Sequence, residues 1–454
     1  MEKYDAVIIG FGKGGKTLAQ ELADAGKNVA LIERSEKMFG GTCINVGCIP
    51  SKSLVHSAVL SWNMGGSFAE KSQRYEQAVA EKNKLTAKLR QKNYKKLDDL
   101  SNVKIYIGQG SLQDAHTVIV EKAGVKEELK TDLIFLNTGA SPFIPPIPGL
   151  KESKYAYLSE TLMDLEQLPK RLVIIGGGYI GMEFASMYQN FGSQVTVIQD
   201  GPVFLPREDE EIAAAVLQSL RDRGVTVLLS TKTTKITDTE EHAILNVTTQ
   251  DEELTLQAEA ILVATGRRAN AAGLNPEAAG VELTERGAVK TDIHLRTTAP
   301  NIWAMGDVTG GLQFTYISLD DYRIVSSAVL GDGSRTTENR GMVPYSVFLD
   351  PPFSRVGLSE KEAREKGYQI KIVRLPAMAI PKAQVLQKTT GMLKAIIDQR
   401  TGQILGAHLF CEESYEMINL IKLAIDAGLP YTVLREAIYT HPTMSEAFND
   451  LFRG

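Results

Sequence analysis

Two cysteines five positions apart, Cys43 and Cys48, stand in the run Gly40-Gly41-Thr42-Cys43-Ile44-Asn45-Val46-Gly47-Cys48-Ile49-Pro50-Ser51-Lys52. Where a bent turn opens a helix, such a pair can cycle between dithiol and disulfide. The helix N-terminus and the nearby Lys52 favour thiolate, the nucleophilic form, over thiol. The surrounding glycines argue against a pair of merely buried small hydrophobes. No second Cys/His pair at ligand spacing accompanies them, so a zinc site is not expected. The third cysteine, Cys411 in Leu409-Phe410-Cys411, has no partner in the sequence and reads as a core residue.

A second kind of chemistry is written twice. The β-branched run Ala6–Ile9 breaks into Gly10-Phe11-Gly12-Lys13-Gly14-Gly15, a helical pattern follows to about Ala25, and the strand Val29–Ile32 ends at Glu33. The same order recurs at Leu172–Ile175, Gly176-Gly177-Gly178-Tyr179-Ile180-Gly181, a helix, Val195–Ile198 and Gln199. Each strand-end residue lies 23 positions after the first glycine of its copy. Each copy also closes on Thr-Gly, at Thr138-Gly139 and Thr265-Gly266. Glycines at these positions let backbone N–H groups approach a pyrophosphate at a helix N-terminus, and an acidic strand end holds a ribose hydroxyl. Gly10, Gly12, Gly15 and Glu33 therefore read as one dinucleotide site, and Gly176, Gly178 and Gly181 as another. Two sites imply two nucleotides, most economically one tightly bound FAD and one exchanging nicotinamide. Gln199 replaces the acidic residue in the second copy, Asp200 follows, and no basic residue comes before Arg207. The reading leans to NADH and leaves NADPH open.

The elements that must position these groups follow from the rest of the chain. A length of 454 residues corresponds to about three domains. Four prolines within Pro142–Pro148 break any helix or central strand and mark a junction between the two copies. Residues 53–100 read as two helices, the second with a basic run from Lys82 to Lys96 that is expected to be a solvated face. From Val343 the pattern turns to hairpin strands and then helices near Ser414–Ala427 and Thr432–Ile438, a separate α+β domain. Three cysteines are too few for a disulfide scaffold, and a net charge of −5 supplies no basic field for nucleic acid or anionic lipid. No apolar run approaches the roughly 18 residues of a membrane span. Met1-Glu2-Lys3-Tyr4-Asp5 runs at once into a strand pattern and leaves no room for a signal peptide. The expectation is a soluble, cytoplasmic protein that binds neither membrane nor nucleic acid.

The segment Gly41-Thr42-Cys43 through Lys52 resembles the redox disulfide of the pyridine-nucleotide disulfide oxidoreductases. Ile302-Trp303-Ala304-Met305-Gly306-Asp307 resembles their late FAD motif, and His441-Pro442-Thr443-Met444-Ser445-Glu446 their C-terminal His–Glu pair. The resemblance covers essentially the whole chain. It implies a glutathione reductase-like α/β fold: two Rossmann-like dinucleotide-binding domains plus a C-terminal α+β dimerisation domain. The expected boundaries are 1–148 for the first part of the FAD domain, 149–268 for the NAD(P) domain, 269–342 for a central segment completing the FAD domain, and 343–454 for the dimerisation domain. Carried over residue by residue, Cys48 lies against the flavin as the charge-transfer thiolate, and Cys43 is the outer thiol that meets substrate. Lys52 pairs with Glu183 near the flavin N5, and Asp307 binds the ribityl chain. Gly41, Thr42, Thr138, Gly139, Gly306 and Thr315 complete the FAD contacts. Tyr179 takes the place of the nicotinamide-gating aromatic, with Gln199 and Gly266 beside the same nucleotide. His441 of a partner subunit acts as general acid/base beside Cys43, oriented by Glu446, so the site is completed across a homodimer.

Within that family, the stretch Val308–Ile324, together with Phe204-Leu205-Pro206-Arg207-Glu208-Asp209 and Val343-Pro344-Tyr345-Ser346-Val347-Phe348, resembles the reactive-chlorine-resistance (RclA-type) group. The resemblance implies an NAD(P)H-dependent hypothiocyanous acid reductase that defends against host oxidants. Alternatives are a dihydrolipoamide dehydrogenase-like or other disulfide reductase, a copper(II) reductase and, outside enzymes, a flavin-based redox sensor.

Overall fold

The computed structural model describes residues 2–250 and 252–453. The chain divides into two compact units, one formed by Met1–Ser53, Ala78–Phe143 and Gly266–Arg340, the other by Leu54–Gln77, Ile144–Thr265 and Gly341–Gly454. The third crossover along the chain, at Phe143/Ile144, falls inside the proline-rich stretch.

The first unit is built on a sheet in which Val103–Ile107, Val29–Glu33, Glu2–Ile9 and Val125–Leu136 lie side by side in parallel. Ile302–Ala304 adds in parallel to the far end of Val125–Leu136, whose first half pairs antiparallel with Thr117–Lys122. Alternate residues feed two separate cores. Val7, Ile9, Ala30, Ile32, Ile134 and Leu136 fill one face, while Ala6, Ile8, Val29, Leu31 and Phe135 fill the other. A parallel sheet covered on both sides accounts for unbroken apolar runs such as Val29–Ile32, without polar alternation. The first strand spans Glu2–Ile9 rather than Ala6–Ile9, because Glu2, Lys3 and Tyr4 pair with Leu129, Lys130 and Thr131.

The second unit repeats the parallel arrangement with Thr226–Leu228, Gln194–Ile198, Arg171–Ile175, Ala260–Val263 and Ala156–Tyr157. Its C-terminal part is an antiparallel sheet in the order Tyr345–Val347, Phe353–Gly357, Ile404–Phe410, Met392–Asp398 and Ile370–Pro376. Against it lie the helices Ser414–Asp426 and Tyr431–Glu436, and the short helix Ala447–Leu451, which the sequence pattern did not reveal. Cys411 belongs to this C-terminal core. It is fully buried, its thiol faces Met417 Sδ at 3.9 Å, and burial pushes its pKa up.

The helices expected over 53–100 are Cys48–Met64 and Phe68–Asp98. The basic run between Lys82 and Lys96 is mostly open, but Lys82 is buried at 2% exposure and departs from the solvated-face expectation. Among the described residues no helix is long and apolar enough to cross a membrane.

Candidate active site

The first glycine turn is shaped by a close approach. Gly10 has φ +111°, and a Cβ there would lie 2.2 Å from the Asn137 carbonyl oxygen. The second copy repeats the device: Gly176 has φ +114°, and a Cβ would lie 2.4 Å from the carbonyl oxygen of Ala264. In both, the residue contacted directly precedes the Thr of the Thr-Gly pair, so the repeated pattern is one backbone geometry built twice. The helices Lys13–Asp24 and Tyr179–Phe191 start at Gly12 and Gly178 with no side-chain cap and no acidic residue in the first turn. A helix N-terminus left open in this way attracts an anionic phosphate.

Asn137 holds the first turn in place, a role the sequence did not disclose. Its Oδ1 accepts the Gly15 N–H at 2.9 Å, and its Nδ2 donates to the Met305 carbonyl at 2.7 Å. Ser318 Oγ accepts the Gly14 N–H at 3.1 Å, and the Gly306 N–H reaches Asp321 Oδ2 at 2.8 Å. Thus the Gly306-Asp307 segment and the helix Thr315–Leu330 are tied to the glycine turn. Glu33 ends its strand buried, accepts the Phe11 N–H at 3.1 Å and the Ser35 N–H at 3.3 Å, and has its pKa raised by burial. Burial likewise raises Asp307, with Arg267 pulling the other way. Thr138 Oγ1 donates to the Asn270 carbonyl at 2.8 Å, and Gly139 has φ +71°. These groups suit a flavin nucleotide: an open helix end, a turn too tight for side chains, and buried acidic acceptors beside it.

The cysteine segment is anchored to the same turn. A Cβ on Gly41 would lie 2.7 Å from Gly12 Cα, so only glycine permits the contact. Cys43 sits in the one-turn helix Thr42–Asn45, the chain breaks at Val46-Gly47, and Cys48 starts the helix Cys48–Met64. Asn45 pins this bend by donating to the carbonyls of Phe39 and Gly41, both at 2.9 Å, while Arg90 Nε donates to its Oδ1 at 2.8 Å. The two sulfurs hydrogen-bond each other, and Thr315 Oγ1 lies 3.4 Å from Cys48 Sγ. Cys48 is exposed and Cys43 partly buried. The hydrogen bond to Cys48 first, and burial second, hold the Cys43 thiol well above its ordinary range, against a smaller opposing pull from Thr315. The two sulfurs therefore share a tightly held proton. This differs from a simple thiolate-favouring helix end, because a sulfur neighbour outweighs the helix field. Lys16, another group not singled out from the sequence, donates to Asn93 Oδ1 at 2.5 Å. Burial and then the charge of Lys13 lower its pKa to about 8. Lys52 Nζ reaches Ser51 Oγ at 3.3 Å.

In the second unit, Gln199 Nε2 donates to the Val203 carbonyl at 2.6 Å, which folds its side chain over Gly177. Gly266, in the first unit, has φ +105°. Glu183 is buried and accepts the Phe348 N–H at 2.9 Å. His441 Nδ1 meets Glu446 Oε2 at 2.8 Å, and the other carboxylate oxygen accepts the Thr443 N–H at 3.3 Å. The imidazole is 70% exposed, so Glu446 orients a ring whose working face points away from its own core. Among the described residues no group of three or more His, Cys, Asp or Glu is placed to hold a metal ion.

Residues 4–321 match the pyridine nucleotide-disulphide oxidoreductase family, and residues 343–452 match the dimerisation domain of that family. The chain is 50% identical over 452 residues to the probable pyridine nucleotide-disulfide oxidoreductase RclA of Escherichia coli, covering 100% of this chain and 99% of that one. It is 34% identical to a mercuric reductase of Bacillus cereus, covering 98% of this chain and 70% of the relative. The solved Cu(II) complex of the HOCl-induced flavoprotein disulfide reductase RclA from Escherichia coli superposes with a TM-score of 0.93, at 50% identity, covering 100% of this chain and 99% of that one. With its glutathione reductase-like architecture and its use of FAD and NAD(P)H, the chain belongs to the pyridine nucleotide-disulphide oxidoreductase family.

Proposed function

We propose that this enzyme reduces hypothiocyanous acid (HOSCN) to thiocyanate through the Cys43–Cys48 pair, at the expense of NADH or NADPH, as a cytoplasmic defence against host oxidants. The observation that carries the reading is the hydrogen-bonded Cys43–Cys48 pair beside Thr315, held against the first glycine turn. Bound FAD supplies the relay that takes a hydride from nicotinamide and returns electrons to the disulfide. In this reading Cys48, the exposed sulfur, would exchange electrons with the flavin, and Cys43 would meet the oxidant. The Cys43 sulfur attacks the electrophilic sulfur of HOSCN. An S–S bond forms, the S–O bond breaks, and hydroxide leaves as water after taking a proton. The Cys48 sulfur then attacks Cys43, expels thiocyanate and leaves the disulfide, which is chemically thiol–disulfide exchange. Because the hydrogen-bonded pair shares a tightly held proton, a base must remove it as the S–S bond forms. His441 of a second copy, fixed by Glu446, is suited to that step and to protonating the departing hydroxide.

The homodimer this requires is supported by the dimerisation domain and by exposed apolar side chains on the C-terminal helices and the segment leading to the histidine. Ile438 is 101% exposed, Leu423 61% and Val433 44%. A small electrophile needs no peptide or lipoyl groove. The experiment is a panel of HOSCN, dihydrolipoamide, glutathione disulfide and copper(II), run with NADH and with NADPH on the purified holoenzyme and on Cys43→Ser. Fast HOSCN-dependent turnover lost in the variant is expected. Faster turnover with a disulfide or copper(II) would replace the substrate, and no turnover with any oxidant would point to a flavin-based sensor.

A further inference from the structure

Three segments of the first unit meet at the side chain of one lysine. Lys16 lies in the helix Lys13–Asp24, directly after Gly15 of the glycine turn. Its Nζ donates to Asn93 Oδ1 at 2.5 Å and reaches the Gly40 carbonyl at 3.4 Å. Asn93 belongs to the helix Phe68–Asp98, and its Nδ2 donates to the Leu89 carbonyl at 2.8 Å. Gly40, three residues before Cys43, is buried; a Cβ there would lie 2.8 Å from Ile44 Cδ1 and 3.4 Å from Asn93 Cβ. Arg90, one turn before Asn93, grips the same cysteine segment through Asn45 Oδ1. The chain leading into Cys43 is thus tied to two helices, and Lys16 makes one of the ties.

Both acceptors of Lys16 are neutral, so neither cancels its charge. Burial, and then the charge of Lys13, lower its pKa to about 8, and Lys96 pulls the same way. The group that pushes back is Cys43, whose ionised form favours the charged lysine. The relation is mutual: Lys16 draws the Cys43 thiol down, together with Thr315 and against Cys48 and burial. A partly buried cation in the field of two further lysines, bonded to neutral acceptors, is unfavourable unless an anion forms near it. The reduced cysteine pair supplies that anion when it gives up one proton.

We propose that Lys16 is a positioning residue of the cysteine pair, which fixes the turn at Gly40 and offsets the single negative charge of the reduced pair. This rests on the reading of Cys43 and Cys48 as the redox centre. When the dithiol releases one proton to solvent, the ammonium opposes the charge left on the sulfurs. Thiolate is the form that attacks an electrophilic sulfur, so Lys16 acts on the oxidant half of the cycle. Hydride transfer from nicotinamide precedes that half and keeps its rate.

The test is an absorbance titration of the thiolate signal in the two-electron-reduced holoenzyme, for wild type, Lys16→Met, Lys16→Gln and Lys16→Arg. Alkylation of the reduced pair by iodoacetamide is followed in parallel. Lys16→Gln keeps a hydrogen-bond donor and removes the charge, so it stands in if Lys16→Met folds poorly. Lys16→Met and Lys16→Gln are expected to raise the pH midpoint by about 0.5 unit, and Lys16→Arg to keep the wild-type value. Below the midpoint, alkylation should slow about threefold in the two neutral variants, with the rate of flavin reduction by nicotinamide unchanged. An unmoved midpoint in Lys16→Gln overturns the charge role, even if flavin retention falls. A midpoint raised equally in Lys16→Arg overturns it as well, because charge is then not the cause. If the reduced wild-type protein shows neither a thiolate signal nor alkylation that Cys43→Ser diminishes, the redox reading of the pair fails, and the role of Lys16 with it.

Discussion

The Cys48 sulfur lies 3.4 Å from the hydroxyl of Thr315, a residue 267 positions further along the chain. Thr315 opens the helix Thr315–Leu330, and the same hydroxyl also lowers the pKa of Cys43. One side chain thus serves both sulfurs. A hydroxyl that donates to a thiolate stabilises the charged form. Thr315→Val, which removes the hydroxyl at nearly constant volume, should raise the pH midpoint of the reduced pair's thiolate signal by about 0.5–1 unit. An absorbance titration of the two-electron-reduced holoenzyme measures this, and an unmoved midpoint would remove Thr315 from the redox centre.

Asn137 bridges the Gly15 amide and the Met305 carbonyl while buried at 5% exposure. Truncation strands both groups without water to replace the amide. Asn137→Ala should therefore cost about 2–4 kcal/mol of stability and weaken flavin retention. Denaturant midpoints and the flavin fraction lost on gel filtration provide the check. Asn137→Asp keeps the acceptor for Gly15 but loses the donor to Met305, and should also be impaired.

His408 lies in a cross-strand row between Arg355 and Lys394. Burial first, and Arg355 second, lower its pKa from 6.5 to about 4, so the ring is neutral at pH 7. Its Nε2 faces the Leu358 carbonyl at 3.1 Å and acts as the donor there. Because the folded pKa is depressed, the unfolded chain takes up this proton first on acidification. The corresponding stability is complete above pH 6.5, declines as pH falls, and is gone once the folded pKa near 4 is passed. Between pH 7.5 and 5 the loss should be about 2 kcal/mol. Urea midpoints at the two pH values should differ less in His408→Gln than in wild type; an equal difference in both would place the acid sensitivity elsewhere.

Glu446 accepts from His441 Nδ1 and from the Thr443 amide, which fixes the imidazole on an exposed rim. If the ring moves protons for the cysteine pair, His441→Gln should slow the oxidant half-reaction by about 10²- to 10⁴-fold. Reduction of the flavin by nicotinamide should stay at its wild-type rate. Rapid-mixing of each half-reaction separates the two, and equal losses in both would argue for a structural defect.

The fold class was legible because its signals are local. A glycine at φ +111° or +114° against a carbonyl is a requirement of single residues, and it left the same spacing in both copies. The parallel strands showed as unbroken apolar runs because both faces are buried. Element ends were less legible. Glu2–Tyr4 join the first strand only because Leu129–Thr131 lie alongside, and Lys82 is buried although its neighbours in the basic run read as a solvated face. The coupling of Cys43 to Cys48 was not legible either, since the field of a helix end is readable from sequence but a hydrogen-bonded sulfur is not.

The sequence by itself determined two nucleotide turns, a cysteine pair five residues apart and a histidine five residues from its carboxylate, because each depends on spacing within a single turn or helix start. The tertiary structure decided which groups tune them. Thr315 beside Cys48, Asn137 between Gly15 and Met305, and Glu208 under the hydroxyls of Tyr179 and Tyr345 join segments separated by 29 to 267 residues. Such contacts depend on strand order, register and burial, which no local spacing encodes. A carboxylate or amide acquires its role only when packing removes water and leaves one partner within reach.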